Sequence, residues 1–277
     1  MMKSYLLGID IGTSACKVAV FDRNGKVLAA ASGDYPVYYP HEGWAEQNPE
    51  EWWDAVCRAT KETMQKADIT ADEIAGIGID GQSWSAIPID REGNVLANTP
   101  IWMDTRAQSI CDRLNQEIGQ EEIFEVAGNS LQPSYSTAKI LWYKENLPEV
   151  YAKIHKILQS NSYIAFKLTD AITQDVSQGY GLHCFNMKKG CWDEKMCKRL
   201  GIPMEFLPEI CDCDHVVGTV TGKAAAECGL VEGTPVVAGG LDAACGTLGA
   251  GVIHSGETQE QGGQAGGMSI CTEEYKA

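Results

Sequence analysis

Three runs of apolar residues with β character open the chain. They are YLLGIDIG, CKVAVFD and KVLAAASGDYPV, and Asn24-Gly25 between the second and third is a strong hairpin signal. We therefore predict that residues 5–39 form an antiparallel meander of three strands. This opening disfavours a fold in which strands and helices simply alternate from the first residue.

Helical and β patterns alternate in the chain that follows. Asn48 has the features of a helix N-cap, because proline comes next and two glutamates fill the first turn, and this helix should run to about Lys66. EIAGIGIDG reads as a buried strand, and a strand pair is expected around Glu92-Gly93. Further helices are predicted over residues 107–118 and 137–145. The sequence thus predicts an α/β domain with a mixed sheet that is opened by the antiparallel meander and flanked by helices.

A strand followed by a polar loop and a helix recurs along the chain. The polar loops come after Asp10, after Gly81 and around Asp242. Open sheets bind ligands in the crevice beyond the carboxyl ends of their strands. We therefore expect these three loops to converge on one cleft.

The composition limits the class of ligand. The chain has 277 residues, of which 44% are hydrophobic and 22% charged, and its formal net charge is -16. The first two values are ordinary for a globular protein with a substantial core. The net charge argues against nucleic acids and anionic membranes as partners, because both require clustered Lys and Arg. An anionic ligand must then be held locally, by backbone N–H groups, a metal ion or a few placed cations.

The cysteines favour a reducing compartment. Eleven of them occur at scattered spacings, with no secretory segment at the N-terminus, so we expect a cytoplasmic protein without disulfides. Cys211 and Cys213, with His215 nearby, could suggest a metal site, but the spacing and second ligand pair of zinc sites are missing, which favours ordinary loop thiols. No apolar run approaches the roughly 20 residues that span a bilayer.

Several common catalytic motifs are missing from the sequence. Residues 76–81 match the G-x-G-x-x-G spacing, but their glycines lie within a β run instead of opening a helix, which argues against a dinucleotide site. There is no P-loop, no His-Glu-x-x-His and no Gly-x-Ser-x-Gly. These absences remove several classes of nucleotide-binding protein and hydrolase.

Asp10 is an acid within an apolar strand, next to a tight turn. Such an acid can simply accept hydrogen bonds from turn N–H groups. Here Gly12 permits close backbone approach, Thr13 and Ser14 offer hydroxyls and N–H groups, and Lys17 returns on the next strand. A carboxylate that holds hydrated Mg2+ beside a phosphate-binding turn is suited to phosphoryl transfer from ATP.

Asp242 follows a β run and a Gly-Gly turn, at the start of a helix of small residues. One interpretation is a helix N-cap. The other is a general base that accepts the proton of an attacking hydroxyl, which a helix N-terminus would keep ionised by lowering its pKa. Both interpretations place the carboxylate at a strand end.

The segments IDGQSWSA and PIWMDTRA contain groups that can bind a polyol. Polar side chains suit hydroxyl groups, and tryptophans suit the apolar face of a sugar, although a tryptophan in an apolar strand is more often a core residue. The candidate substrate-binding residues are Gln82, Ser83, Trp84, Trp102, Asp104 and Arg106.

Five motifs in one order resemble the FGGY family of carbohydrate kinases, and within it the xylulokinase group. They are Asp10-Ile11-Gly12-Thr13-Ser14, GWAEQNPEEWW, GIDGQSW, WMDTR and AGGLDAACGTLGAG, and the similarity covers residues 5 to about 254. The resemblance implies an actin-like, ribonuclease-H-like fold and phosphorylation of a sugar or polyol hydroxyl by ATP with Mg2+. It also implies that Asp10 faces the Mg-ATP phosphates and that Asp242 is the catalytic base.

The same resemblance assigns roles to the remaining candidate residues. At two positions, however, this sequence differs from the pattern of the family. It places Thr13 and Ser14 in the phosphate loop, with Lys17 at a position that is often basic. Ser83-Trp84 stands where xylulokinases commonly carry Met-His, and Gly263-Gln264 stands in a second phosphate loop that is usually of Gly-Thr-Ser type. The identity of the sugar and the phosphate contacts of the second loop are therefore open.

Family members are about twice as long as this chain. We expect residues 1–254 to form the N-terminal, sugar-binding domain and residues 255–277 to begin a truncated nucleotide-binding domain, so the chain should be inactive alone. Two other functions stay open: an actin-like ATPase or sugar-binding regulator without kinase activity, and a non-catalytic interaction module. A homodimer is also possible.

Overall fold

A computed structural model describes residues 4–262 and 266–273. The strands are β1 (Tyr5–Ile11), β2 (Ala15–Phe21), β3 (Val27–Asp34), β4 (Glu46–Gln47), β5 (Ile74–Gly81), β6 (Ile87–Ile89), β7 (Thr99–Pro100), β8 (Lys156–Leu158), β9 (Thr173–Asp175), β10 (Phe185–Asn186), β11 (Cys191–Trp192), β12 (Glu209–Cys211), β13 (Val216–Thr219), β14 (Pro235–Val237), β15 (Gly240–Leu241), β16 (Thr258–Gly262) and β17 (Gly266–Ile270). The α-helices are α1 (Pro49–Ala67), α2 (Gln108–Glu117), α3 (Gln120–Ala127), α4 (Ser136–Asn146), α5 (Pro148–Tyr151), α6 (Ser160–Thr169), α7 (Val176–Gly179), α8 (Glu194–Leu200), α9 (Gly222–Cys228) and α10 (Asp242–Gly249).

The main sheet is mixed. Its strands are ordered β13-β14-β5-β1-β2-β3, with β15 also paired to β5. Strands β1, β2 and β3 are antiparallel neighbours, which confirms the predicted meander, while β5 runs parallel to β1, β14 and β15. Three strands that are far apart in sequence therefore end at one edge of the sheet.

Helix α1 covers one face of the meander. Its first turn is capped by Asn48, whose side chain accepts a hydrogen bond from the Glu50 N–H at 3.1 Å, as the sequence predicted. Trp52 and Val56 are fully buried in the core that this helix shares with the strands. Burial of two large apolar side chains supplies several kcal/mol, at about 25 cal/mol per Å², and holds the helix on the sheet.

A second, smaller hydrophobic core lies among the helices of the middle of the chain. It includes Ile110 and Leu114 of α2, Leu141 and Trp142 of α4, and Met196 of α8. The predicted helices over residues 107–118 and 137–145 correspond to α2 and α4. Ala86, which follows β5 in the chain, is fully buried in the same cluster.

The last described segment is a β-hairpin. Strands β16 and β17 pair with each other, and Gln261 donates from Nε2 to the carbonyl oxygen of Ala243 at 2.7 Å. Met268 and Ile270 are exposed. Gly263 and Gln264, the predicted second phosphate loop, lie outside the described residues. Within residues 4–262 and 266–273, no helix has the length and apolar content that a membrane span requires.

Candidate active site

Three aspartates lie together where the strands of the main sheet end. Asp10 of β1 is the register partner of Asp80 in the parallel strand β5, and Asp80 is in turn the partner of Gly240 in β15, which immediately precedes the Asp242 helix. Besides the effect of burial, the Asp10 carboxylate favours the protonated form of Asp80, through its charge and as a hydrogen-bond acceptor, and so raises the pKa of Asp80. Lys17 forms an ion pair with Asp10, with 2.8 Å between Nζ and Oδ2. The register of two parallel strand pairs thus assembles a carboxylate cluster from distant segments.

This cluster carries excess negative charge. Burial raises the pKa of Asp80, and the neighbouring charges of Asp10 and Asp242 raise it further. The pKa of Lys17 is raised by its hydrogen bond and charge interaction with Asp10. A cation at this edge would offset the repulsion between these acids, which contributes to the raised pKa of Asp80.

Asp80 was not among the candidate residues predicted from the sequence. A signal was present, because Gly-Ile-Asp occurs both at residues 8–10 and at residues 78–80. The two copies become neighbours only because β1 and β5 pair in parallel with no offset between them at this end. From the sequence, the second copy matched only the glycine spacing of a dinucleotide site, an interpretation that its position within a β run argues against.

Asp242 occupies the first turn of α10, and the residue at its N-cap position is Leu241. Its Oδ1 accepts a hydrogen bond from the Ala243 N–H at 2.7 Å, which lowers its pKa, but burial acts more strongly and raises the pKa overall. The expectation that the helix terminus would dominate and lower this pKa is therefore wrong. A raised pKa suits a general base, because proton transfer is most effective when the pKa of the base is near the working pH.

The loop before Asp242 is held by Ser177, which the sequence analysis did not single out. The Ser177 hydroxyl accepts from the Leu241 N–H at 2.8 Å and donates to Asp175 Oδ1 at 2.6 Å. The buried Asp175 carboxylate also accepts from Asn161 Nδ2 and from the Gln178 N–H, each at 2.8 Å. The available signal was an aspartate at the N-cap of a short helix two residues before a serine.

The turn of residues 12–14 is fixed by contacts on both sides. The Gly12 N–H donates to the Ala15 carbonyl at 3.1 Å, and the Gly12 carbonyl accepts from the Tyr35 hydroxyl at 2.6 Å. Thr13 accepts a hydrogen bond at its hydroxyl from Trp102 Nε1 at 3.0 Å. Ser14 is exposed. The predicted phosphate loop and the predicted sugar-binding segment are therefore in direct contact.

Trp84 has an unusual backbone conformation. Its φ is 59°, in the left-handed region that bulky residues rarely adopt. Its ring stacks on Tyr135 at a centroid distance of 3.9 Å and meets the edge of Tyr180 at 5.7 Å. Strain of this kind persists where the surroundings hold it, and it often marks a functional site. Tyr135 and Tyr180 were not predicted, because no local motif marks them.

The other predicted sugar contacts are largely engaged within the protein. Gln82 is buried and donates from Nε2 to Gln47 Oε1 at 2.8 Å. Asp104 and Arg106 form a buried ion pair at 2.8 Å, and the guanidinium lies 3.8 Å from the ring centroid of Trp44. Arg106 also pairs with Glu46 at 2.7 Å, and Asp104 accepts from the Ala45 N–H at 2.7 Å, so both side chains are engaged within the protein and support the loop that carries Trp102. Ser83, in contrast, is only half-buried.

The donor set suits a magnesium ion that is bound mainly by phosphate and water. In the described part of the chain, no group of three or more His, Cys, Asp or Glu side chains forms a ligand set for a metal. Mg2+ commonly uses one or two carboxylates and keeps several waters or substrate phosphates. The Asp10 side chain is 29% exposed at the carboxylate cluster, which fits such a role.

Comparison with protein families gives one match that covers most of the chain. Residues 5–249 match the model described as the FGGY family of carbohydrate kinases, N-terminal domain. The xylulose kinase of Bacillus subtilis is 34% identical over 254 residues, which are 92% of this chain and 51% of that protein. The chain thus spans about half the length of the curated relatives it matches.

Solved structures give the same result. The crystal structure of a xylulose kinase from Rhodospirillum rubrum matches with a TM-score of 0.93 and 27% identity, over 98% of this chain and 56% of that one. A Plasmodium falciparum glycerol kinase solved with ADP matches with a TM-score of 0.88 and 25% identity, over 96% and 54% of the two chains. These likenesses confirm the predicted actin-like, ribonuclease-H-like fold class.

Proposed function

We propose that this chain, which belongs to the FGGY family of carbohydrate kinases, is the sugar-binding half of an ATP-dependent kinase of the xylulokinase type. The observation that carries the proposal is the juxtaposition of Asp10, Asp242 and the residue 12–14 turn at one sheet edge, beside the aromatic residues at Trp84. Phosphoryl transfer needs an acid for the metal, a base for the acceptor hydroxyl and a tight turn for phosphate oxygens. All three are close together here.

In the proposed reaction, Asp242 accepts the proton of a sugar hydroxyl. The hydroxyl oxygen then forms a bond to the γ-phosphorus of ATP, and the bond between that phosphorus and the bridging oxygen of ADP breaks. Asp10 would hold Mg2+, which neutralises charge on the transferring phosphoryl group. Lys17 would offset part of the negative charge of Asp10 through their ion pair, and Asp80, whose pKa is raised, would add little negative charge when it holds its proton.

The nucleotide phosphates would contact the backbone N–H groups and hydroxyls of Thr13 and Ser14, while Gly12, whose N–H donates to the Ala15 carbonyl, would permit their close approach. The proposed phosphate-binding residues are Gly12, Thr13, Ser14, Lys17, Gly263 and Gln264. Backbone N–H groups are suitable partners for an anion in this chain, because its 38 acidic residues outnumber its 22 lysines and arginines.

The sugar would lie against Trp84 and Ser83, with Trp102 close to the phosphate loop. Tryptophan rings bind the apolar face of a sugar, while polar side chains such as that of Ser83 distinguish the stereochemistry of the sugar hydroxyls. Asp104 and Arg106 would act as supports of this pocket. We propose D-xylulose as the first substrate to test, because relatives and structural neighbours are named xylulose kinases.

The domain boundary is part of the same proposal. Residues 1–254 would form the sugar-binding domain and residues 255–277 the start of the nucleotide-binding domain. A cytoplasmic location and a homodimer stay predictions from the sequence. On this proposal the chain binds sugar weakly and turns over little ATP, because the second half supplies most of the adenine contacts.

The experiment is a calorimetric titration of the chain with D-xylulose, other pentuloses, hexuloses and glycerol, together with an assay of ADP release. Weak binding of one sugar without turnover is expected from the chain, and sugar-dependent ADP release from a version extended to the length of its relatives. Asp242→Asn should abolish that release, whereas Asp112→Asn, at an exposed position of α2, should not. Binding of no sugar, or full ADP release by the Asp242 variant, would refute the proposal.

A further inference from the structure

A buried lysine connects the loops of the proposed sugar pocket. Lys139 of α4 is 0% exposed. Its Nζ donates to three backbone carbonyl oxygens, those of Trp84 at 2.8 Å, Ile101 at 2.9 Å and Ser134 at 2.6 Å. An ammonium group has three N–H donors and no acceptor, so these three carbonyls use its full donor capacity.

Each of these carbonyls belongs to a different segment of the pocket. One is the carbonyl of Trp84 itself. Ile101 immediately precedes Trp102, whose indole donates to the Thr13 hydroxyl at 3.0 Å. Ser134 immediately precedes Tyr135, whose ring stacks on Trp84. One cation therefore joins three chain segments that are remote in sequence, at the residues where each presents an aromatic ring.

A role in filling the core does not explain the choice of residue. Moving an ammonium group out of water is costly, and an apolar side chain of similar volume often stabilises a core equally well or better. Consistent with that cost, burial lowers the pKa of Lys139 to about 7. The charge of Asp104 opposes this lowering, while that of Arg106 adds to it. The three carbonyl contacts need the protonated form of the side chain, so a position that keeps a lysine at this cost uses its donors for something that an apolar residue cannot supply.

We infer that Lys139 is the positioning residue of the sugar pocket, and that its three hydrogen bonds set the separation and orientation of Trp84, Trp102 and Tyr135. The inference rests on the proposed function for the identity of the ligand, but the arrangement of the rings can be measured without a ligand. Lys139 acts through these loops and does not touch the reacting atoms.

The test compares two substitutions at Lys139. Their order of severity differs according to whether Lys139 positions the pocket loops or only fills the core. Lys139→Met has a similar length and no donor, whereas Lys139→Gln keeps two N–H donors. Lys156→Met is the matched control, because Lys156 donates to a single backbone carbonyl, that of Leu207, at 2.8 Å. Each protein is examined by urea unfolding, by near-UV circular dichroism for the aromatic pair, and by calorimetry with D-xylulose.

We expect Lys139→Met to weaken D-xylulose binding at least tenfold and to reduce the near-UV circular dichroism signal, to which the stacked Trp84 and Tyr135 rings contribute. Lys139→Gln should lie between it and the wild type, and Lys156→Met should keep both properties. If Lys139 only fills the core, the order is reversed, because Met suits an apolar environment better than Gln. Wild-type affinity and an unchanged near-UV spectrum in Lys139→Met would overturn the inference.

Failure of the proposed function gives a different result. If the wild type binds no sugar in the panel, the proposed function is wrong, and the near-UV spectra of the Lys139 variants alone decide the inference. If both variants fail to fold, the wild type is labelled with 15N-lysine. A slowly exchanging ammonium resonance that shifts on addition of D-xylulose supports the inference, and the absence of any shift overturns it.

Discussion

Gly239, in the turn before the Asp242 helix, offers a sharp test of how this loop is held. Its φ is +73°, and a Cβ added there would overlap the backbone carbonyl of Ile79 in β5. Gly233 is a matched control, because its φ is +87° and an added Cβ would meet nothing within 4 Å. The N–H groups of both glycines donate to backbone carbonyls at 2.9 Å.

The two substitutions share one cost and differ in another. Alanine in the left-handed region costs about 1 to 2 kcal/mol at either position. In both variants alanine also reduces the conformational entropy of the unfolded chain, which stabilises the folded state by about 0.4 to 1 kcal/mol. Only Gly239→Ala adds steric overlap, and overpacking typically costs about 1 to 3 kcal/mol, with the upper end expected here because the obstacle is backbone.

We therefore expect Gly239→Ala to lower the free energy of unfolding by about 2 to 3 kcal/mol more than Gly233→Ala. For a chain of this size that difference corresponds to about 3 to 5 °C in Tm. Urea and thermal unfolding of the two variants measure it directly. Because Gly239 lies three residues before Asp242, the proposed base, sugar binding should also weaken in the Gly239 variant only. Equal stability of the two variants within about 0.5 kcal/mol would refute this account of the turn.

Two further predictions concern buried polar groups. Burial lowers the pKa of His183 to about 4, so above pH 6.5 its ring is neutral in both the folded and the unfolded state. As the pH drops from 6.5 to 4, the unfolded state binds the proton more readily. The contribution of His183 to the free energy of unfolding should therefore fall over this range. Other groups titrate in the same range, so the measured quantity is a difference: between pH 6.5 and 4 the free energy of unfolding of the wild type should fall by about 3 kcal/mol relative to that of His183→Gln, and parallel urea-unfolding curves would contradict the assignment. Ser177→Ala should lower the free energy of unfolding by about 1 to 3 kcal/mol, because it leaves the Leu241 N–H without its acceptor and Asp175 without one donor. Urea unfolding at pH 7 tests this, with Ser14→Ala, at an exposed position, as the control, and equal stability of the two variants would contradict it.

The elements that formed as predicted are those with strong local signals. Asn24-Gly25 lies in the connection between β2 and β3, and the Asn48 side chain caps α1 as its sequence context indicated. Such signals act over a few residues, through turn geometry and capping hydrogen bonds, and can therefore be read without knowledge of the rest of the molecule. The order of the meander and the existence of the strand at residues 74–81 follow from the same kind of information.

The residues that the sequence analysis missed depend on distant contacts. Asp80 enters the carboxylate cluster only through the parallel register with β1, and Ser177 reaches Leu241 across 64 positions of the chain. Lys139 looks like an ordinary helical lysine until α4 is packed against the loops at Trp84 and Ile101. No local pattern encodes such contacts.

The sequence by itself determined the three strands of the meander, the strand at residues 74–81, the first helix, the polar loops at the strand ends and the resemblance to a kinase family. Only the tertiary structure decided which polar groups at the cleft can bind a ligand and which are already bonded to other groups of the protein. Asp104 and Arg106 illustrate the difference, since their motif suggests sugar contacts while the packed loop pairs them with each other. The physical reason is that a buried polar group must find its partner within the fold, and the choice of partner depends on which segments the packing brings within hydrogen-bond distance.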